Sequence, residues 1–332
     1  MKVRIPDYFE KFRCIADRCT DSCCIGWDVY LDEESAKGYK ADKDQVLRFD
    51  LHIEEGDDGS YIKMRGDGRC PYLTEKGLCR IIERRGEGML CEICAEHPRY
   101  YGIYGKTAEG GIGASCIEGA RLILGMKTKP EYREYEDESF TAPFNECYFY
   151  NEEEERAFRD ELMKSIWEGD AKDAPSIVLR AAEHTSKKKD VCDAARIIAE
   201  SYGRCEHLKI SRYEDLLAAK DRIAADAPTD AAKRIEQILE VCAKQVIHYA
   251  LHRHYMDALF DGCKSERLLL SLWLLSLVVM LSYLGDGSAE EIAENLKDIS
   301  KNVEYSTENP EIVTEMLSDG ELADALAALL IV

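Results

Sequence analysis

Positive charge is what this sequence has too little of. Its 332 residues include 44 Lys and Arg against 65 Asp and Glu, a net charge of -21. Binding to nucleic acid depends on cations that release counterions from phosphates, so the deficit speaks against a polyanion partner. An apolar leader is also missing. The start, MKVRIPDYFEKFRC, carries charges throughout and has no core of the kind a secretory signal needs. A cytoplasmic, reducing location is therefore expected, where clustered cysteines serve as metal ligands or redox centres rather than structural disulfides. Long apolar runs are scarce. The one that stands out, Leu268 to Leu284, has 17 uncharged residues with three serines and lies between helix-patterned segments. It reads as a buried central helix and not as a membrane span.

Cysteine is what the sequence has in excess. Of its 14 cysteines, nine fall in the first 116 residues: Cys14, Cys19, Cys23, Cys24, Cys70, Cys79, Cys91, Cys94 and Cys116. The other five, Cys147, Cys192, Cys205, Cys242 and Cys263, are isolated in helix-like sequence and read as small buried hydrophobes. The clustered set runs C-x4-C-x3-C-C, then C-P-x7-C, then C-x2-C, then Cys116. Thiolates three to five residues apart in a loop can reach one metal centre, and soft sulfur favours iron-sulfur clusters or zinc over hard cations. Two separated C-x2-C pairs, as in a zinc ribbon, are absent, which tilts the reading toward iron-sulfur. Neighbouring side chains tend to diverge, so of Cys23 and Cys24 one can bind while the other packs or serves a second centre.

Charge and periodicity divide the chain the same way. Residues 1–126 hold 19 basic and 23 acidic side chains, whereas residues 127–332 hold 25 and 42. We therefore expect a mostly α protein: a cysteine-rich metal-binding module with short strands over 1–126, an extended connection over 127–150, and an all-α domain of seven to nine helices over 151–332. Strand signals fall at Ile25–Leu31, Tyr61–Met64 and Pro71–Leu73, and short helices are expected after Leu78 and Cys116. Helix starts are marked by Asn151, Asp190, Ser211, Thr229 and Ser288; stops by Gly169, Gly203, Pro228, Gly262, Gly285 and Gly320. Thr229 to Phe260 reads as one long helix.

The segments FRCIADRCTDSCCIGWDVYLD, CPYLTEKGLCRI, Cys94 with His97-Pro98-Arg99, and SCIEGARLIL together resemble the flagellin lysine N-methylase family, whose N-terminal part is similar to the cysteine-rich zinc- or iron-chelating domain proteins. The resemblance covers residues 5–126. It implies S-adenosylmethionine-dependent methylation of flagellin lysines and an associated [4Fe-4S] cluster, with zinc as the alternative metal. The cysteines that match by motif are Cys14, Cys19, Cys23, Cys24, Cys70, Cys79, Cys94 and Cys116; Cys91 falls outside the pattern. The radical S-adenosylmethionine signature C-x3-C-x2-C is absent, because after Cys19 and Cys23 its third ligand would fall at Gly26. A glycine-rich strand-to-helix turn for the methyl donor is also missing. The string Glu109-Gly-Gly-Ile-Gly-Ala-Ser115 reads instead as a tight turn near the metal site.

A lysine amine with a pKa of ~10.4 must be desolvated, or offered an acceptor for its proton, before it can be methylated. Tyr100, Tyr101, Tyr104 and Trp27 are candidate lining residues for such a channel, set against ordinary aromatic packing. Arg99 is a candidate partner for a cluster or a carboxylate, and His97 a further ligand candidate. His248, His252 and His254 read as a polar helix face, since Tyr249 stands where a metalloprotease would have glutamate. Lys187-Lys188-Lys189 reads as a solvated loop. Two other classes compete with the enzyme: a metal or iron-sulfur carrier with a helical docking domain, and a thiol redox sensor. No nucleic-acid or membrane partner is expected.

Overall fold

The computed structural model describes residues 1–27, 29–57, 59–141, 148–207, 211–306 and 308–331. Short strands and helices alternate up to residue 136, and helices alone follow, as the mostly α reading requires. The strands are β1 (Lys2–Pro6), β2 (Val29–Tyr30), β3 (Ile53–Gly56), β4 (Gly59–Ile62), β5 (Arg99–Tyr104), β6 (Thr107–Ile112) and β7 (Tyr132–Glu136). Among them lie helices α1 (Glu33–Ala41), α2 (Phe49–His52), α3 (Arg80–Arg85), α4 (Glu92–Glu96) and α5 (Ile117–Leu124). The rest are α6 (Glu152–Glu168), α7 (Ala174–Ala181), α8 (Val191–Gly203), α9 (Tyr213–Ala225), α10 (Pro228–His254), α11 (Ala258–Asp261), α12 (Lys264–Leu284), α13 (Ala289–Glu304), α14 (Asn309–Ser318) and α15 (Glu321–Leu330).

Helix α12 is the axis of the molecule. Its apolar stretch is 94% buried, packed among α7, α8, α9, α10, α13, α14 and α15. Its serines do not strand a polar group: Ser271 and Ser276 donate to Leu268 O and Trp273 O one turn back, and Ser282 Oγ accepts from Asn295. Several expected caps are in place. The Asn151 side chain accepts from the N–H groups of Glu153 and Glu154, Asp190 from Cys192, and Ser288 from Glu291. Three boundaries differ. Pro228 opens α10 rather than ending its predecessor, because its fixed φ suits the first helical position. Helix α9 begins at Tyr213, two residues after Ser211. The long helix breaks at His254, where a 3-10 turn over Tyr255–Asp257 leads into α11.

Two sheets organise the first part. β2, β4 and β3 form one antiparallel sheet. The other, ordered β5-β6-β1-β7, was not legible as strands: β6 is buried on both faces and pairs parallel with β1. Its glycines are strand rather than turn. Gly110 and Gly111 stand opposite Tyr101 and Tyr100, and a Cβ on either would collide with those rings. Residues 71–73 form no strand; Leu73 makes a single bridge to Cys79.

Packing groups the residues into two cores. The large one runs from Val3 and Ile5, through Ala108, Ile112 and Ile117, to Trp273 and Leu330. Residues of β1, β5, β6, α5 and β7 thus pack with the helices. The small core comprises Val29, Tyr39, Leu47, Phe49, Ile62, Cys70, Tyr72, Leu73, Ile81 and Cys91, with Tyr39 stacked on Phe49 at 4.3 Å. Among the isolated cysteines Cys205 and Cys242 are buried, but Cys192 is exposed and Cys263 only half-buried. Cys192 follows the cap of α8 and looks outward. Cys147 lies outside the described residues.

Candidate functional site

The loop carrying the first four cysteines is pinned to helix α13. Asp21 pairs with Lys301, and with Lys297 at 3.6 Å, while Thr20 donates to Glu294 at 2.8 Å. Just beyond, the chain is fastened elsewhere: Cys24 O accepts from Cys70 N–H at 2.8 Å and Gly26 N–H donates to Gly68 O at 3.1 Å. Three other cysteines stand at helix N-termini, Cys79 before α3, Cys91 before α4 and Cys116 before α5. The N–H groups there work to lower each thiol, but at Cys79 and Cys116 burial outweighs them and raises it.

Electrostatic influence links the nine clustered cysteines, each to at least one other. Cys14, Cys19, Cys23 and Cys116 lie within electrostatic reach of one another. Cys24 neighbours Cys70, Cys79 and Cys94, and Cys79 neighbours Cys91. A hydrogen bond from Cys23 brings the Cys24 thiol down to about 7, and Cys94 similarly lowers Cys91. Burial pushes Cys70 up to about 12. Among the described residues no three His, Cys, Asp or Glu side chains converge closely enough to hold a single metal ion.

Beside the thiols lies a cavity of about 510 Å³ at the junction of the two cores. Its walls come from Trp27, His97, Arg99, Tyr100, Arg253, Glu304 and Tyr305 among others. Trp27 donates its indole N–H to Cys23 O at 2.6 Å. Its ring lies 5.4 Å from Tyr305 and 6.1 Å from His97. The Arg253 guanidinium covers the Tyr100 ring at 3.7 Å. His97 Nε2 and the Tyr100 hydroxyl are buried without a hydrogen-bond partner among the described residues. Burial lowers His97 to about 4, so its imidazole is neutral near pH 7. Burial works to raise the Glu304 carboxyl, but His254, Arg253 and Tyr249 outweigh it and keep it ionised. The cavity therefore joins aromatic walls, one carboxylate and two guanidiniums.

The flagellar biosynthetic protein FliU of Salmonella muenchen is 31% identical to the chain over 126 residues, which make up 36% of this chain and 75% of that protein. The chain belongs to the flagellin lysine N-methylase family. Two proteins named lysine-N-methylase, from Salmonella typhimurium and Salmonella choleraesuis, are each 32% identical over 126 residues, 36% of this chain and 31% of theirs. The chain thus spans about a third of the length of those two relatives. No family model and no solved structure matches it.

The eight cysteines assigned by resemblance to this family all fall in the thiol cluster, and so does Cys91, which the family motif had left out. Its buried place in the small core, beside Cys94, was foreshadowed by the C-x2-C spacing. The aromatic candidates divide. Trp27 and Tyr100 line the cavity; Tyr101 packs on Phe9 and Phe140, and Tyr104 bonds Asp257 at 3.2 Å, so neither reaches it. Arg99 lines the cavity, and its guanidinium lies over Phe9 and Phe12. Arg253, Glu304 and Tyr305 were missed, because they arrive on α10 and α13 from far along the chain. His248 makes one interhelical bond, to Trp167 of α6, and His252 bonds the sheet. Trp167 donates to His248 Nδ1, leaving His248 Nε2–H for Tyr132; Tyr132 then donates to His252, and His252 Nε2–H to Gly110 O. His254 approaches Glu304 at 3.7 Å.

Proposed function

We propose that this chain is a protein-lysine N-methyltransferase that uses S-adenosylmethionine, takes flagellin as substrate, and carries a [4Fe-4S] cluster on its thiols. The observation that carries the reading is the cavity between the two cores. Aromatic rings can embrace a sulfonium or an ammonium, the Arg253 and Arg99 guanidiniums suit a carboxylate, and Glu304 is an anion placed for a lysine. Burial in such walls lowers the amine pKa so that its proton leaves to solvent, and the ionised Glu304 orients the nitrogen. The amine lone pair then forms the N–CH3 bond as the S–CH3 bond breaks, and the electron pair stays on sulfur. A pocket of this volume lies in the range of small-molecule sites. The acidic second part of the chain suits a lysine-bearing protein surface.

Soft thiol donors fit an iron-sulfur cluster. When bound, such a cluster supplies a one-electron centre and a cross-link between loops.

Anaerobically purified chain incubated with methyl-labelled S-adenosylmethionine and unmethylated flagellin is expected to label flagellin lysines. No transfer by a cluster-replete sample, together with no rise in melting temperature on adding the donor, would reject the enzyme in favour of a carrier.

A further inference from the structure

We infer that the junction cavity seats the methyl donor by its amino-acid end, with the Arg253 guanidinium as the group that holds the donor's carboxylate. The inference deepens the proposed function and rests on its reading of the donor.

Arg253 stands in the last turn of α10, between two histidines that are already engaged. His252 Nε2–H donates to Gly110 O at 3.0 Å, and His254 faces Glu304 at 3.7 Å. The turn is therefore fastened to β6 and set against α13, and Arg253 is left lining the cavity. Its guanidinium carbon lies 3.7 Å from the centre of the Tyr100 ring. At that distance the two planes must lie face to face, because any steep tilt would drive a nitrogen into the ring. The ring has room there because Gly111 stands opposite it in β6, where a Cβ would collide with it. Such a contact engages only the face of the guanidinium. Its five N–H donors lie in the plane of the group and stay free. Among the described residues they meet no hydrogen-bond acceptor and no ion-pair partner. Glu304, the carboxylate of the same cavity, is engaged elsewhere, accepting from Tyr249 and facing His254. The second guanidinium is turned away: Arg99 lies over Phe9 and Phe12 at 5.5 and 5.2 Å, and neither ring lines the cavity.

A guanidinium with its donor edge free matches a carboxylate, which it takes through two parallel N–H bonds. Two carboxylates can supply that partner, one on the donor's amino-acid end and one on an acidic side chain of the protein substrate. The cavity favours the donor. Trp27 and Tyr305 wall the same space with rings 5.4 Å apart, a surface suited to a sulfonium, and the volume of about 510 Å³ is that of a small-molecule site. A small molecule carrying both a carboxylate and a sulfonium uses both features at once. An acidic side chain uses only one.

The test is calorimetric binding of two nucleosides to the full chain purified without oxygen. S-adenosylhomocysteine carries the amino-acid end; methylthioadenosine keeps the thioether and the adenosine but lacks it. The wild type is expected to bind the first more tightly. Arg253→Gln should weaken S-adenosylhomocysteine by about 10- to 100-fold, as loss of charged hydrogen bonds does, and leave methylthioadenosine unchanged. Arg253→Lys, which keeps the charge and loses the fork, should fall between. Hydrogen exchange across α12 checks that each variant is folded, and the lysine variant decides the matter if the glutamine variant is not. The inference is overturned if the wild type binds neither nucleoside, if both weaken equally in folded variants, or if Arg99→Gln shows the selective loss instead. It is also overturned if Arg253→Gln binds S-adenosylhomocysteine like the wild type but raises the KM for flagellin, since the carboxylate is then the protein's. Selective binding without methyl transfer would reject the proposed activity and leave the donor's seat standing.

Discussion

The large core buries Trp273, Tyr202, Tyr249, Tyr255 and forty Val, Leu and Ile side chains around one helix, whereas the small core assembles ten buried residues, two of them cysteines. The first can stand on apolar area alone. The second, with two-residue and four-residue strands and helices of four to nine residues, is of a size that needs a staple. The difference teaches that the small body needs a cross-link its apolar residues do not supply, and that removing a metal held by its thiols, as proposed, should act on the two regions unequally.

Metal removal should have the largest effect. Structural metal sites contribute on the order of 10 kcal/mol to small folds, more than residues 29–91 can replace. Chelation is expected to abolish hydrogen-exchange protection in β2, β3 and β4 while α12 keeps its slow exchange. Equal loss in both regions would break the comparison.

Next comes a charge inside the large body. Glu109 receives Arg159 and Arg156 at 2.6 Å each, and Arg159 is fully buried. Glu109→Gln leaves that guanidinium with Asp160, at 3.4 Å, as its remaining carboxylate and should cost about 3 kcal/mol in denaturant unfolding. The same carboxyl sets an acid limb. Burial alone would raise it, but Arg159 and its neighbours hold it at about 2, against ~4.3 in the unfolded chain. Its contribution is therefore complete above the unfolded value and is lost as pH falls through about 2. The variant should show a shallower stability slope over that window; an unchanged slope would refute the assignment.

Leu275, fully buried in α12, tests apolar packing directly. Leu275→Ala should cost about 2–5 kcal/mol and lower the global melting transition without releasing bound metal. Smallest is Asn151→Ala, which removes the cap of α6 and should cost ~1 kcal/mol by the same measurement.

What was legible in the sequence follows the same line between regions. Helix α12, the caps at Asn151, Asp190 and Ser288, and the stop at Gly262, which takes φ 73°, depend on a few adjacent residues and could be read locally. The sheet β5-β6-β1-β7 could not. Lys2 and Thr107 are neighbours only after the chain has folded, and a strand buried on both faces shows no alternation. The cysteines announced themselves by spacing, but which core Cys19, Cys70, Cys91 and Cys116 pack against depends on the whole fold. The cavity was half visible: Trp27 and Tyr100 carry local signals, while Glu304 and Arg253 are ordinary helix residues until α13 and α10 bring them beside the thiols.

The most direct measurement is methyl transfer to flagellin by variants at two different cavities. Trp27→Leu and Glu304→Gln alter the one at the junction of the cores, whereas Lys127→Ala and Lys129→Ala alter another of about 820 Å³ beside α6 and α10. The junction variants should lose transfer on the order of 10²-fold at temperatures where their melting curves show them folded, and the lysine variants should match the wild type. Equal activity in the two pairs, with both folded, would contradict the assignment of the junction as the site of chemistry.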